Sequence, residues 1–203
     1  MKIGEDHFIE GLRRDLLPGG AAMPIRRVLV IHFTSGASAQ SSIDYWRARG
    51  DGVCAHVIID RDGKITQCRP FNRQCGHAGV SRWRDPVHGG KLYVGVNAIG
   101  IGIELANAGD DEALAKRWTK LPPVSAKHRN GGPLQKWEAY PEPQLISVTA
   151  LAMALVLRYR LDDITGHDCI APERKNDPGP AFPMGALRKA CGFTGLPAVH
   201  KKP

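Results

Sequence analysis

The chain has 203 residues, 42% of them hydrophobic, which is enough for one well-buried core rather than two full domains. Its 28 basic and 20 acidic side chains give a net charge of +8, which favours a polyanionic partner such as nucleic acid, an acidic membrane surface or the bacterial wall. Charge alone does not choose among these partners.

Cysteine usage and hydropathy predict where the protein resides. The five cysteines form no Cys-x-x-Cys pair, and an odd number cannot all pair within one chain, so we expect a reduced, cytosolic protein. The first twenty residues lack a long apolar segment, and no uncharged run approaches the roughly 18 apolar residues of a spanning helix. We therefore expect neither a signal peptide nor insertion into a membrane.

The first half of the chain predicts a strand, a helix and a hairpin. Residues 26–33 (RRVLVIHF) form a nearly continuous apolar run, typical of a strand in the middle of a sheet. Residues 38–50 begin with a capping serine and end on glycine, which indicates a helix. Residues 56–68 contain two strand-like runs around Asp62-Gly63, a strong hairpin signal.

Residues 98–106 (AIGIGIELA) alternate between apolar and small or charged residues, as in a strand. One face of this strand carries Ile99, Ile101, Ile103 and Leu105, and the other carries Gly100, Gly102 and Glu104. The glycines leave room for another group beside the carboxylate, and we expect that group to be a substrate.

The second half completes an α/β fold. Residues 107–140 show no clear period and predict a long loop or insertion. Apolar residues recur at helical spacing over 142–160, residues 161–165 read as a strand, and residues 182–192 read as a helix. With no regular βαβ repeat, we expect a single domain with a central mixed β-sheet flanked by helices.

Two histidines and one aspartate form a candidate metal site. His32 ends the first strand, His167 follows the last strand, and Asp177 lies ten positions later in a proline-rich loop. Two imidazoles and a carboxylate are a common zinc donor set, and three protein ligands leave a fourth position for water. The alternative is an accidental combination among eight histidines, most of them structural or exposed.

Two further residues are candidates for catalysis. Lys175 lies two positions before Asp177, so in an extended backbone both side chains point to the same side. An ammonium group there would stabilise the oxyanion that forms when water adds to a carbonyl group. Glu104 is the candidate for proton transfer to a leaving nitrogen. The alternatives are a solvated charge cluster for Lys175 and an edge-strand glutamate facing solvent for Glu104.

Five segments together carry a family resemblance. They are VLVIHFT, AHVIIDRDGKITQ, HAGVSRW, NAIGIGIELANAG and GHDCIAPERKNDPGPAF. In unbroken order over residues 26–185, they resemble the amidase-2 family of zinc-dependent N-acetylmuramoyl-L-alanine amidases, relatives of peptidoglycan-recognition proteins. The resemblance is strongest to the bacterial cytoplasmic anhydromuramyl-peptide amidases. It implies a mixed sheet with flanking helices, one zinc ion, and hydrolysis of the amide bond between N-acetylmuramic acid and L-alanine.

The resemblance also assigns roles to residues. It implies zinc ligands at His32, His167 and Asp177, a catalytic glutamate at Glu104 and a catalytic lysine at Lys175. It makes His77 a wall of the substrate groove. Asn97 is placed beside that groove, where the family asparagine is expected to order the loop.

Three positions depart from the family pattern or invite misreading. The phage-type members have a tyrosine where this chain has Ala55. The resemblance therefore implies that Glu104 also performs the part that this tyrosine plays in the mechanism of those members. Many relatives have an aromatic residue where this chain has Gly76, which removes a stacking surface for sugar or peptide. Cys169 lies inside the ligand loop, but the family register makes Asp177 the ligand and Cys169 a packing residue.

Several alternatives stay open at this point. A non-catalytic peptidoglycan-binding module is the main one, although such modules lose metal ligands. Nucleic-acid binding is not expected, because no nucleic-acid motif accompanies the charge. The substrate is either intact murein or a soluble recycled fragment, and we expect the 107–140 segment, near the groove, to choose between them. A cytoplasmic location is expected, with release to the cell wall if the protein comes from a phage.

Overall fold

The computed structural model describes residues 1–200. The strands in this range are β1 (Arg13–Arg14), β2 (Val28–Phe33), β3 (Val57–Ile59), β4 (Ile65–Gln67), β5 (Arg82–Arg84), β6 (Leu92–Val94), β7 (Gly100–Leu105), β8 (Val124–Lys127), β9 (Leu134–Trp137) and β10 (Asp163–Gly166). The α-helices are α1 (Ala39–Arg49), α2 (Glu112–Trp118), α3 (Glu142–Tyr159), α4 (His167–Ile170) and α5 (Met184–Ala190). A short 3₁₀ helix covers Val96–Ala98.

A six-stranded mixed sheet organises the domain, in the order β1-β4-β3-β7-β2-β10. Strand β2 runs parallel to both of its neighbours, β7 and β10, while β3 and β4 are antiparallel. All six residues of β2 are buried, so the predicted interior strand and the predicted mixed α/β sheet are both confirmed. The carboxyl ends of β2, β7 and β10 therefore meet at one edge of the sheet.

The alternation in β7 separates the two faces of the sheet. Ile101, Ile103 and Leu105 lie in the main apolar core, which also includes Val148, Leu151 and Leu155 from α3 and Leu187 from α5. Gly100, Gly102 and Glu104 face the other side, as predicted. Ile99 is a correction: it precedes β7 and packs in a separate cluster with Val96 and Trp83, because the 3₁₀ helix redirects the chain just before the strand.

Helix α1 has both predicted ends. The Oγ of Ser38 accepts a hydrogen bond from Ser41 N at 3.1 Å, and Ser41 Oγ in turn accepts one from Ser38 N at 3.0 Å. Gly50 ends the helix with φ of 64°, a left-handed conformation that favours glycine. The helix buries Ile43 and Trp46 against Ile58 of β3, on the face of the sheet opposite α3.

The 107–140 segment is not a featureless loop, which corrects the prediction. It contains the short helix α2 and the antiparallel hairpin β8–β9. The hairpin strands are mostly exposed, so they lack the apolar alternation that sequence reasoning needs. At the base of the insertion, Trp137 is 1% exposed and the buried Glu138 accepts two hydrogen bonds from Arg61 at 2.6 and 2.9 Å.

The remaining predicted helices and strands are confirmed, with bounds moved by one or two residues: the 56–68 hairpin is β3–β4, and the later elements are α3, β10 and α5. The small β5–β6 sheet and the one-turn helix α4 were not predicted. All five cysteines are free thiols. Within residues 1–200, none of the helices combines the length and apolar character needed to cross a bilayer.

Candidate metal centre

Sheet topology brings together the three residues predicted to bind metal. His32 lies near the carboxyl end of β2, and His167 directly follows β10, whose last residue pairs with Ile31. The two histidine Nδ1 atoms are 2.9 Å apart, and Asp177 Oδ2 lies 2.9 Å from the first and 3.1 Å from the second. All three side chains are buried, with residue exposures of 1% to 5%. The predicted convergence at the strand ends is thus present.

Hydrogen bonds on the far side of each ring decide which nitrogen faces the centre. His77 Nε2 lies 3.1 Å from the carbonyl oxygen of Gly100, to which it can only donate. Its Nδ1 therefore accepts from His32 Nε2, 3.0 Å away, and His32 Nδ1 carries a lone pair.

The same reasoning applies to His167. Its Nε2 lies 3.1 Å from the carbonyl oxygen of Ala78, and donation to that oxygen leaves a lone pair on Nδ1 of the neutral ring. The neighbouring Arg174 Nη2 donates to Ala78 O and Val80 O at 2.8 and 2.9 Å. A cation at the centre would therefore meet two nitrogen lone pairs and a carboxylate oxygen.

The protonation preferences of the buried groups agree with this arrangement. Burial, followed by the nearby charge of His167, lowers the pKa of His32 to about 4 and so favours the neutral imidazole that a metal requires. Burial alone would raise the pKa of Asp177, but His167 and His32 outweigh it and hold that pKa well below its usual range. The pKa values of His32 and Asp177 are therefore both shifted in the direction that favours metal binding.

The geometry and chemistry of this donor set fit zinc. Ligand atoms about 2.1 Å from a tetrahedral zinc ion lie about 3.4 Å from one another. The three distances here are a few tenths of an ångström shorter. Two imidazoles and one carboxylate match the donor set of catalytic rather than structural zinc sites. These residues form a possible metal site within the described chain.

Glu104 adds an unpaired carboxylate beside the centre. It pairs directly with His32 across the parallel strands β7 and β2, so both side chains project from the same face of the sheet. Its Oε2 atom is buried and has no hydrogen-bond partner among residues 1–200.

Burial, followed by the charge of Asp177, raises the pKa of Glu104 well above its usual range. A carboxyl group with a raised pKa suits acid–base chemistry. Because β7 is flanked by β2 and β3, the edge-strand alternative for Glu104 is wrong.

Lys175 contributes positive charge on the side of Glu104. Burial and Asp177 raise the pKa of Glu104, and the ammonium group of Lys175 partly opposes that rise. The same ammonium group adds a small part to the lowering of the pKa of His32, after burial and His167. Lys175 and Glu104 are both half-buried, whereas the three metal ligands are buried. The accessible side of the centre is therefore the side that carries these two groups.

Comparison with known proteins identifies the family. A family model described as N-acetylmuramoyl-L-alanine amidase matches residues 21–180, most of the chain and all three candidate ligands. The chain belongs to the amidase-2 family. The resemblance seen in the sequence motifs is thereby confirmed.

Curated relatives of this amidase-2 chain carry the names of N-acetylmuramyl-L-alanine amidases. It is 33% identical over 152 residues to the 1,6-anhydro-N-acetylmuramyl-L-alanine amidase AmpD of Citrobacter freundii, covering 74% of this chain and 61% of that protein. It is 32% identical over 177 residues to the N-acetylmuramoyl-L-alanine amidase AmiD of Escherichia coli, covering 82% and 54% respectively. The chain thus spans little more than half the length of these relatives.

Solved amidase structures share the fold. AmiD from E. coli, in complex with anhydro-N-acetylmuramic acid-L-Ala-D-γ-Glu-L-Lys, superposes with a TM-score of 0.64 at 26% identity, covering 88% of this chain and 62% of that one. A selenomethionine AmpD crystal structure superposes with a TM-score of 0.63 at 28% identity, covering 92% and 97%. The predicted fold class is confirmed.

The two residues predicted for the substrate groove lie behind the metal ligands. His77 is 8% exposed, and its ring contacts His32 rather than an open cleft. Asn97 is half-buried, and its Oδ1 accepts a hydrogen bond from Ala78 N at 2.7 Å, in the loop that follows His77. The groove-wall role of His77 stays a prediction.

The space beside the β7 glycines is filled by protein. A Cβ atom on Gly102 would lie 2.6 Å from Cγ of His77, well inside contact distance. The prediction that substrate occupies this space is therefore wrong, because the His77 ring is already there. The sequence showed that a group approaches the strand but not which one.

The departures from the family pattern also find physical explanations. A Cβ atom on Gly76 would lie 2.7 Å from the carbonyl oxygen of Gly52, so an aromatic side chain here requires a different path for the neighbouring backbone. Cys169 Sγ lies 3.0 Å from Arg129 Nη1, away from the cluster of ligand atoms. Sequence reasoning missed Arg174, which fastens the 78–80 loop over His167 and looked like part of a solvated charge cluster.

A second group of ligand-type side chains lies at the opposite end of β2. His88 Nδ1 lies 3.1 Å from Asp85 Oδ2 and 3.6 Å from Asp162 Oδ2. Arg27 Nη1 lies 3.2 Å from the same Asp162 oxygen. Since the Arg27 guanidinium already pairs with Asp162, and His88 lies beside both acids, we interpret this cluster as an ion-pair network.

Proposed function

We propose that this chain is a zinc-dependent N-acetylmuramoyl-L-alanine amidase that hydrolyses the amide bond between the lactyl group of N-acetylmuramic acid and the L-alanine of the stem peptide. One observation carries the proposal: three converging ligand atoms lie beside an unpartnered carboxylate, Glu104, in a chain of the amidase-2 family. The muropeptide named in the AmiD complex is the class of substrate that we extend to this chain.

His32, His167 and Asp177 would hold the zinc ion. Bound there, zinc supplies Lewis acidity, which polarises a carbonyl group and activates water. The hydrogen bonds from His32 to His77 and from His167 to Ala78 orient the two rings for this task. The ligands therefore need little rearrangement to accept the ion.

Glu104 would transfer the proton. It would take a proton from the attacking water and deliver it to the nitrogen of the departing L-alanine. Its raised pKa suits the second step, because the carboxyl group must hold the proton until the C–N bond breaks. Its unpartnered Oε2 atom leaves an oxygen free to exchange that proton.

Lys175 would stabilise the negative charge that develops on the amide oxygen. Its electrostatic influence on both Glu104 and His32 supports a position at the reacting side of the centre. An ammonium group held close to an oxyanion lowers the energy of the transition state more than that of the neutral amide.

Substrate would reach the centre on the half-buried side. A cleft of about 330 Å³ is lined by Thr34, Ser35 and Gly36, which follow the metal ligand His32 in the chain, and by Tyr45 of α1. The polar residues at its entrance suit a sugar or peptide. The net charge of +8 suits the anionic polymers of a bacterial wall as well as their soluble fragments.

The direct test is hydrolysis of defined substrates by the purified, zinc-loaded protein. We expect free stem peptide, detected by mass spectrometry, when the protein is incubated with muropeptides. Intact sacculi and soluble anhydro-muropeptides, assayed in parallel, distinguish wall lysis from recycling. Binding of muropeptides without release of peptide would instead support a non-catalytic peptidoglycan-binding module.

A further inference from the structure

His77 links the imidazole ring of the metal ligand His32 to the backbone of the neighbouring strand β7. Its Nδ1 lies 3.0 Å from His32 Nε2, and its Nε2 lies 3.1 Å from the carbonyl oxygen of Gly100 in β7. The ring meets that of His32 edge to face, at 81° and 5.1 Å between centroids. One imidazole thus spans the distance from the backbone of a central strand to the back of a ligand.

The direction of these hydrogen bonds is fixed by the backbone. A carbonyl oxygen can only accept, so His77 must carry its proton on Nε2 and leave Nδ1 as an acceptor. His32 must then donate from Nε2, which leaves its Nδ1 free of a proton. The opposite tautomer of His32 would place a proton toward His167 and Asp177, where a metal ion needs a lone pair.

The sheet is shaped to accept the His77 ring. A Cβ atom at Gly102 would lie 2.6 to 2.9 Å from three ring atoms of His77, so only glycine lets the ring lie flat against β7. His56 supports the same segment, because its Nδ1 accepts a hydrogen bond from Gly102 N at 3.0 Å and its ring lies 5.9 Å from that of His77 between centroids. Both Gly102 and His77 are buried, so this fit serves the interior rather than a ligand in solution.

We propose that His77 is a positioning residue of the metal centre, which selects the tautomer and ring orientation of His32 by accepting its Nε2 proton, and that Gly102 is glycine to make room for it. This inference rests on the metal centre of the proposed function. It concerns how the chain binds zinc, not which bond it hydrolyses. Groups that orient a metal-bound histidine typically change metal affinity 10- to 100-fold when removed.

The test compares two substitutions that differ in one hydrogen-bond acceptor. His77→Leu removes the acceptor, whereas His77→Asn keeps an oxygen at the position of Nδ1. We expect His77→Leu to weaken zinc binding about 10- to 100-fold in competition with a chromophoric chelator. His77→Asn should remain within a few-fold of the wild type. Equal affinity for His77→Leu and the wild type, or equally weak binding by both variants, would overturn the proposal.

A third variant changes no polar group. Gly102→Ala retains every hydrogen-bonding side chain but places a methyl group against the His77 ring. We expect a loss of zinc affinity similar to that of His77→Leu. Unchanged affinity in a folded Gly102→Ala protein would contradict the packing argument.

A measurement on the wild type keeps the inference testable even if the variants fail to fold. In zinc-loaded protein with ¹⁵N-labelled histidine, long-range ¹⁵N–¹H spectra report which ring nitrogen carries the proton. We expect His77 to be protonated on Nε2 alone, and a proton on Nδ1 would overturn the proposal. Neither this readout nor zinc affinity depends on hydrolysis, so failure of the amidase assignment would leave the inference standing, and the reverse also holds.

Discussion

His32 and Glu104 occupy directly paired positions on the adjacent parallel strands β2 and β7. Paired residues on parallel strands project to the same face, so the backbone hydrogen bonds of the sheet set the separation of a metal ligand and a candidate acid–base group. Neither residue depends on a loop for its placement. Lys175 and Asp177, by contrast, come from the 171–180 segment, which follows the one-turn helix α4.

Glu104→Gln should abolish most of the hydrolysis while leaving zinc in place. The amide keeps the shape of the side chain but cannot accept and release a proton, and proton transfer by a positioned group is worth about 100- to 10,000-fold in rate. The measurement is turnover of a muropeptide, with zinc content by elemental analysis as the control. Full activity in this variant would remove Glu104 from the mechanism.

Lys175→Ala should reduce turnover far more than it reduces zinc content. One group that stabilises an oxyanion is typically worth about 100- to 1,000-fold in kcat. Arg174→Ala is a useful comparison, because the neighbouring side chain fastens the 78–80 loop through two carbonyl groups instead. Retained activity in Lys175→Ala would contradict the assigned role.

Asp177→Ala should remove the metal. Two imidazole nitrogens without the carboxylate leave an incomplete site, so elemental analysis of the purified variant should find little zinc. The wild type should also become more resistant to heat as zinc is added, by about 4 kcal/mol at a thousand times the Kd, whereas the variant should not respond. An unchanged zinc stoichiometry would show that Asp177 is not a ligand.

The folded protein should lose stability as the pH falls from about 6.5 to about 4. Burial lowers the pKa of His56 from 6.5 to about 4, and its protonation would oppose the hydrogen bond that Nδ1 accepts from Gly102 N. Since the folded-state pKa lies below the unfolded value, the unfolded chain binds the proton first and stability falls with pH across this window. The loss from His56 alone is about 3 kcal/mol at pH 4. Chemical denaturation at several pH values measures it, and His56→Gln should flatten the dependence relative to its own stability at pH 7.

Arg61→Ala should destabilise the protein by about 3 kcal/mol, because it leaves the fully buried carboxylate of Glu138 without its charged partner. The exposed pair between Lys136 and Glu112 in the same insertion provides the control, since removing such a pair costs at most about 1 kcal/mol. Denaturant unfolding of both variants gives the comparison. Equal small effects would mean that the insertion does not depend on Arg61.

The placement of the two histidine ligands at the ends of neighbouring strands could be predicted from the sequence. His32 closes an uninterrupted apolar run and His167 follows another strand, so parallel pairing of the two strands was enough to bring them together. The caps of α1 and the turn at Asp62-Gly63 could also be predicted from the sequence. Ser38 caps the start of the helix, and Gly50 and Gly63 adopt positive φ values that favour glycine. In each case the signal lies within a few residues of the feature.

Other features depend on contacts between distant segments. Gly102 pointed to a close approach, but the approaching ring belongs to His77, and nothing local to β7 identifies it. The β8–β9 hairpin was hidden because its strands are mostly exposed and carry lysine and glutamine where a half-buried strand would alternate. The buried ring of Trp137, at the end of β9, packs against Gly179 and so connects this hairpin to the loop that carries Asp177.

The pairing of β10 with β2 constrains how this chain can vary. A single residue inserted into either strand would displace His167 relative to His32 by about 3.3 Å and turn the following side chains to the opposite face. The hairpin that projects from 107–140 has no such restriction, since its tip can lengthen or shorten without disturbing the sheet. Natural variants of this chain should therefore differ in length at that projection, while the number of residues within the two strands stays constant.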